Sequence, residues 1–194
     1  MPDASSLPLS ELDIDPSERP SLPKMPEATD QHRRQGRRLA AIHRGHLMEF
    51  GRIARALERI KAGDAPPGEL ADIVLHLDMT QNYRAFGSLC GQECRMLNFH
   101  HDAEEYMVFP KLEAAGDDAL RALVARLREE HKIVHELLER LERAAMTLLY
   151  EPDDDNFAKA SAVFTQLEKV VRSHFGYEES ELEEALGVHL GDIL

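Results

Sequence analysis

The chain has 194 residues, 43% of them hydrophobic and 30% charged, enough to bury a real core and to stay folded in water. A formal net charge of −13 leaves no excess of lysine or arginine to neutralise phosphates, which excludes nucleic acid as the expected partner. No apolar run approaches the roughly 20 residues that span a bilayer, and no charged-then-apolar leader opens the chain, so no membrane association and a cytoplasmic location are expected.

Residues 1–30 carry six of the ten prolines, from Pro2 to Pro26, among Ser, Asp and Glu. So few apolar residues poorly repay the entropy of ordering, and this segment is expected to be a disordered or loosely attached tail. A first helix is predicted from about Gln31 to Ala62, with Leu39, Ile42, His46, Ile53, Leu57 and Ile60 at steps of three and four, stopped by the Gly63–Gly68 stretch. A short segment, Glu69 to Leu77, follows. The second helix is expected from near Thr80, capped by Asp78 or Thr80, through Leu97, His100, Glu104 and Met107 to about Pro110. The third starts at the Gly116-Asp117-Asp118 cap, carries Leu120, Leu123, Leu127, Val134 and Leu138, and ends near Tyr150. The fourth begins around Asn156 and fades near Gly187, with Phe164, Leu167, Val171, His174, Glu178 and Leu182 on one stripe. Strand patterning is absent. Four long helices with short connections predict an all-α, antiparallel up-down-up-down four-helix bundle spanning residues 31–194 behind the tail. The two cysteines, Cys90 and Cys94, are one helical turn apart, a spacing that suits two reduced core thiols better than a disulfide.

The chemistry is concentrated in histidines and carboxylates. His100 and Glu104 lie four apart, as do His101 and Glu105 one residue along. His174-x-x-x-Glu178, followed by Glu179, is a near-copy, and His131-x-x-x-His135 lies between them. Residues four apart share a helix face. His100 and Glu104 therefore align with Leu97 and Met107 on the apolar stripe, and His174 and Glu178 align with Val170, Val171 and Leu182. A carboxylate facing an apolar interior requires a cation, and neutral imidazole is a metal's natural companion. One His-x-x-x-Glu pair is ordinarily no more than a hydrogen bond; two with the same flanks, plus histidines on two further helices, point to a metal site inside a bundle. Comparison with His174-Phe175, where an apolar residue follows the ligand, favours His100 and Glu104 over His101 and Glu105. In the first helix His43 is favoured over His46 because Leu39–His43 resembles Leu127–His131, part of a distant internal repeat. Leu97, Met107, Ile133, Leu138, Val170 and Val171 are candidates for the apolar lining.

The combined pattern His43, His100-x-x-x-Glu104, His131-x-x-x-His135, His174-x-x-x-Glu178 resembles hemerythrin and its bacterial hemerythrin-like, or HHE cation-binding, relatives, over roughly residues 38–187. The resemblance implies a four-helix bundle holding two iron ions in a non-haem centre. Its implied ligands are His43, His100, His131, His135 and His174, with Glu104 and Glu178 as bridging carboxylates. The last carboxylate is a Glu four residues after His174, where the respiratory carriers have an Asp five residues on; many bacterial members share the shorter spacing. Five histidines, two bridging carboxylates and a bridging oxygen would leave about one of roughly twelve coordination positions open. The expected role is binding O₂ or a related small oxidant, peroxide or nitric oxide, for sensing, storage or detoxification. An enzyme decomposing peroxide or reducing nitric oxide is the alternative, and a metal-free helical interaction module with an unknown protein partner is the second. A ferritin-like carboxylate site is disfavoured, because no histidine here has a Glu three residues before it.

Overall fold

The computed structural model describes residues 4–65 and 91–191, with the backbone alone for 91–96. The segment Glu69 to Leu77, the start of the second helix near Thr80 and the thiols of Cys90 and Cys94 lie outside the described residues. Among the described residues there is no strand, and the α-helices are α1 (Asp30–Gly36), α2 (Arg38–Lys61), α3 (Gly91–Ala103), α4 (Phe109–Ala115), α5 (Asp118–Tyr150) and α6 (Asp154–Leu190). No described helix is long and apolar enough to cross a membrane.

The ends follow local chemistry. Thr29 and His32 cap α1 reciprocally, each side chain accepting the other's backbone N–H. Asp117 caps α5 through Leu120 N–H, and Asp153 caps α6 through Asn156 N–H. At the end of α2, Gly63 at φ 77° donates to Ile60 O while Asp64 donates to Arg59 O, the paired bonds that close a helix through a left-handed residue. The first predicted helix is divided: the helix is interrupted at Arg37, which leaves α1 free to lie across α6. The approach is close on both sides. A Cβ on Gly36 would meet Glu183 O at 1.9 Å, and one on Gly187 would meet His32 O at 2.0 Å.

Between α3 and α4 the helix widens into a π turn, Glu104–Val108, where Phe109 N–H reaches back five residues to Glu104 O. Pro110 explains it. Lacking an N–H and clashing with the carbonyl four residues before it, proline disfavours a regular turn there, and one extra residue per turn relieves the crowding.

The apolar core is split into two clusters. One gathers Leu12, Phe50, Leu97, Val134, Leu137, Phe164, Val171 and Phe175; the other gathers Leu39, Phe109, Leu123, Val124, Leu127, Tyr177 and Leu182. The buried histidines and glutamates lie where the two clusters meet: His43 and His46 between Leu39 and Phe50, Glu130 and His131 between Leu127 and Val134, and His174 and Glu178 on either side of Phe175 and Tyr177. A polar layer is thus enclosed between two apolar ones.

The N-terminal segment differs from the expectation of a disordered or loosely attached tail. Residues 4–29 form three short 3₁₀ turns and lie against α5 and α6. Few apolar residues suffice because they are well placed: Leu12 is fully buried and Ile14 nearly so. Backbone groups that prolines leave without helical partners bond to side chains of the bundle. Gln166 donates to Leu12 O, Arg140 to Leu7 O and Tyr177 to Pro20 O, while Glu181 and Glu184 accept from Leu22 and Met25 N–H.

Candidate metal centre

Four helices deliver the polar layer. α2 presents His43, α3 and the π turn present His100, His101 and Glu104, α5 presents His131, and α6 presents His174 and Glu178. All are buried except His100, whose side chain is 8% exposed. Their donor atoms fall into two groups, each with all members within 4.8 Å of one another: His43, His100, Glu104 and Glu178 in one, and His101, His131 and His174 in the other.

The two glutamates join the groups. Glu104 Oε1 lies 3.4 Å from His100 Nε2, while its Oε2 lies 3.5 Å from His131 Nε2. Glu178 Oε2 lies 3.3 Å from His43 Nε2, and its Oε1 lies 3.5 Å from His174 Nε2. Each carboxylate turns one oxygen to each group, as a bridge between two cations does.

The test of whether these residues fit a metal lies in their unspent lone pairs. Nε2 of His101, His131 and His174, Oε2 of Glu104 and both oxygens of Glu178 are buried without a hydrogen-bond partner. Buried polar atoms are almost always satisfied, so six orphans converging on one layer mark a place where cations belong. The donor set, neutral imidazole with carboxylate, suits divalent iron, zinc or manganese.

Electrostatics supports the same reading. Burial, reinforced by the neighbouring rings of His100, His174 and His46, pushes His43 down to about 2. Burial takes His174 down to about 4, and holds His100 and His101 below the ordinary imidazole value. These rings are neutral at pH 7, as ligands must be. His131 goes the other way: burial opposes its charge, but the carboxylates of Glu104 and Glu105 beside it outweigh that. Burial and the Glu104 charge raise Glu178 well above the carboxylate range.

Behind the donors stand groups that aim them. Glu105 accepts from His131 Nδ1 at 2.8 Å and is paired with Arg128; Glu179 accepts from His43 Nδ1 at 3.0 Å; Glu130 accepts from His174 Nδ1 at 3.1 Å. Such a bond fixes the tautomer, leaving Nε2 as the lone-pair donor. Aromatic walls complete the layer: Phe175 stacks on His43 at 3.8 Å between centroids, and Phe109 stacks beside His131 at 5.4 Å.

Six of the seven residues named from the spacing, His43, His100, Glu104, His131, His174 and Glu178, come together. His135 does not join either donor group. It is half-buried, and its Nε2 lies 3.2 Å from Nδ1 of His101, so it stands behind a donor. His101 supplies the fifth imidazole. The register of the second helix is therefore not a choice between His100 and His101. Neighbours on a helix point 100° apart, and α3 lies between α2 and α5. His100 leans towards His43 and His101 towards His131, one to each group. His46 is buried beside His100, with 5.4 Å between centroids, but outside both groups.

Met107 is corrected as a lining residue: it is 58% exposed. The π turn adds a residue to the count, so the position facing inward after Glu104 is Phe109. The backing glutamates were visible only as doublets, Glu104-Glu105 and Glu178-Glu179, and as Glu130 preceding His131.

Searches of curated proteins and of solved structures found no match. A family model described as the hemerythrin HHE cation binding domain matches residues 29–186. With that match covering most of the chain and a His/Glu cluster suited to cations at its centre, the protein belongs to the hemerythrin HHE cation-binding family.

Proposed function

We propose that the polar layer is a non-haem di-iron centre that binds O₂ or a related small oxidant, peroxide or nitric oxide, for sensing, storage or detoxification. The observation that carries this reading is the division of the donors into two groups joined by Glu104 and Glu178, each with lone pairs left unspent. Two iron ions held there would supply redox chemistry and a coordination position for a small ligand. His43, His100, His101, His131 and His174 would hold the ions with the two glutamates. Phe109 and Phe175 exclude water from the ligand rings. A cleft of about 740 Å³ lies between the N-terminal segment and α5, with Ile133 and His135 in its lining.

The antiparallel up-down-up-down arrangement belongs to the same reading. It is supported by the order in which the helices meet the two apolar clusters. α2 and α5 pass from the Leu39–Leu127 cluster to the Phe50–Val134 cluster, and α6 passes the other way, as does the chain from Leu97 to Phe109. A cytoplasmic site of action is proposed with it, in keeping with the acidic composition.

The optical spectrum of the iron-loaded protein tests the function. A charge-transfer band that appears with O₂ and vanishes on deoxygenation is the expected result. Turnover of peroxide or nitric oxide that is lost in His131→Ala would instead favour the enzymatic alternative on the same residues.

A further inference from the structure

His43, His131 and His174 are each backed by a carboxylate, but the three carboxylates are not placed alike. Side chains of Glu179 and Glu105 are 36% and 21% exposed, so water shares in their solvation. Glu130 is fully buried. A buried carboxylate needs cationic partners of its own, or it would take up a proton and cease to accept from His174 Nδ1 with full strength.

Those partners come from an unexpected direction. Arg19, in the N-terminal segment and 111 residues away in sequence, donates Nε to Glu130 Oε1 and Nη2 to Oε2, both at 2.8 Å. This is the two-pronged fork that matches guanidinium to carboxylate. The guanidinium lies 4.5 Å over the ring of Tyr177, whose hydroxyl donates to Pro20 O, so the arginine is clamped on both sides. Arg126 adds Nε to Oε1 at 3.1 Å and uses its other nitrogens to hold Glu18 and Asp15 O of the same segment. A continuous line of charge-assisted hydrogen bonds thus runs from the N-terminal segment to a donor histidine: Arg19, Glu130, His174.

We propose that Arg19 is a positioning residue of the metal centre, holding Glu130 so that His174 keeps its Nε2 lone pair aimed at the His101–His131–His174 group. The inference rests on the reading of that group as a metal site. It makes the segment ahead of the helices a working part of the centre.

Titration of the chelator-stripped full chain with Co(II), followed by visible absorption, tests this. The wild type is expected to take up two ions. Arg19→Ala is expected to bind the ion at the three-histidine group about tenfold to a hundredfold more weakly, with a shifted absorption band, the loss typical of removing a group that orients a ligand. Arg19→Lys, which keeps the charge but not the fork, is expected to recover part of both. Gln166→Ala loosens the segment at Leu12 O without touching Glu130, and is expected to leave both readings at the wild-type level. Wild-type affinity and band in a folded Arg19→Ala, or an equal change in Gln166→Ala, would overturn the proposal. Should Arg19→Ala fail to fold, Arg19→Lys decides, because a wild-type response from it would equally contradict a need for the fork. A wild type that takes up no Co(II) would overturn the metal-site reading and this inference together, whereas a wild type that takes up two ions beside an unchanged Arg19→Ala would overturn this inference alone.

Discussion

His101 and His135 meet edge to edge across α3 and α5, Nδ1 of one 3.2 Å from Nε2 of the other, with the rings 26° from parallel. Only one of them, His101, has its far nitrogen buried and unpartnered in the donor layer. The pair therefore divides labour: His101 faces the donor layer, and His135 stands behind its ring.

That division predicts unequal losses. His101→Ala is expected to lose the ion at the three-histidine group. His135→Ala is expected to keep both ions, with an affinity about tenfold to a hundredfold weaker at that group. Metal content after dialysis checks it; loss in His135→Ala with retention in His101→Ala would reverse the assignment.

The metal-free protein is expected to lose stability in mild acid. His43 and His174 are held near 2 and 4, below the 6.5 of an unfolded chain, mainly by burial. The unfolded state takes up protons that the folded state refuses. Their contribution is fully present above about pH 6.5 and falls as pH drops through 6.5 towards 4. Urea unfolding at a series of pH values should show the midpoint dropping over that window. Glu178 acts in the opposite sense: its raised value means that stability is lost as pH rises through its folded pKa. A midpoint that stays flat from pH 7 to 5 in Glu178→Gln, where that opposing group is removed, would contradict the burial of neutral imidazoles.

Two glycines of α6 should respond oppositely to alanine. At Gly187 a Cβ would lie 2.0 Å from His32 O, backbone that cannot step aside, so Gly187→Ala is expected to cost about 1–3 kcal/mol by forcing α1 away. At Gly176 nothing lies within 4 Å, and Gly176→Ala is expected to be neutral or to stabilise by up to about 1 kcal/mol through helix propensity. Thermal melting of the two variants decides it, at roughly 2–4 °C per kcal/mol.

The helices, and six residues that meet in the polar layer, were legible in the sequence because each is a matter of spacing along one element. Leu97, His100 and Glu104, or Val171, His174 and Glu178, announce a buried polar face by period alone. What was not legible depends on neighbours. His101 enters the layer because α3 has a helix on either side, and period cannot say that two adjacent residues both face inward. Met107 was misplaced because the π turn before Pro110 changes the count. Leu12 and Arg19 were read as part of a tail because their partners, Gln166 and Glu130, are more than a hundred residues away.

Glu104 and Glu178 are each placed to serve two cations at once. Metal analysis of the purified full chain, with melting before and after chelation, tests it most directly. Two iron ions per chain, and a melting temperature that falls when they are removed, are predicted. Fewer than one metal ion per two chains, with melting unchanged by the chelator, would contradict it.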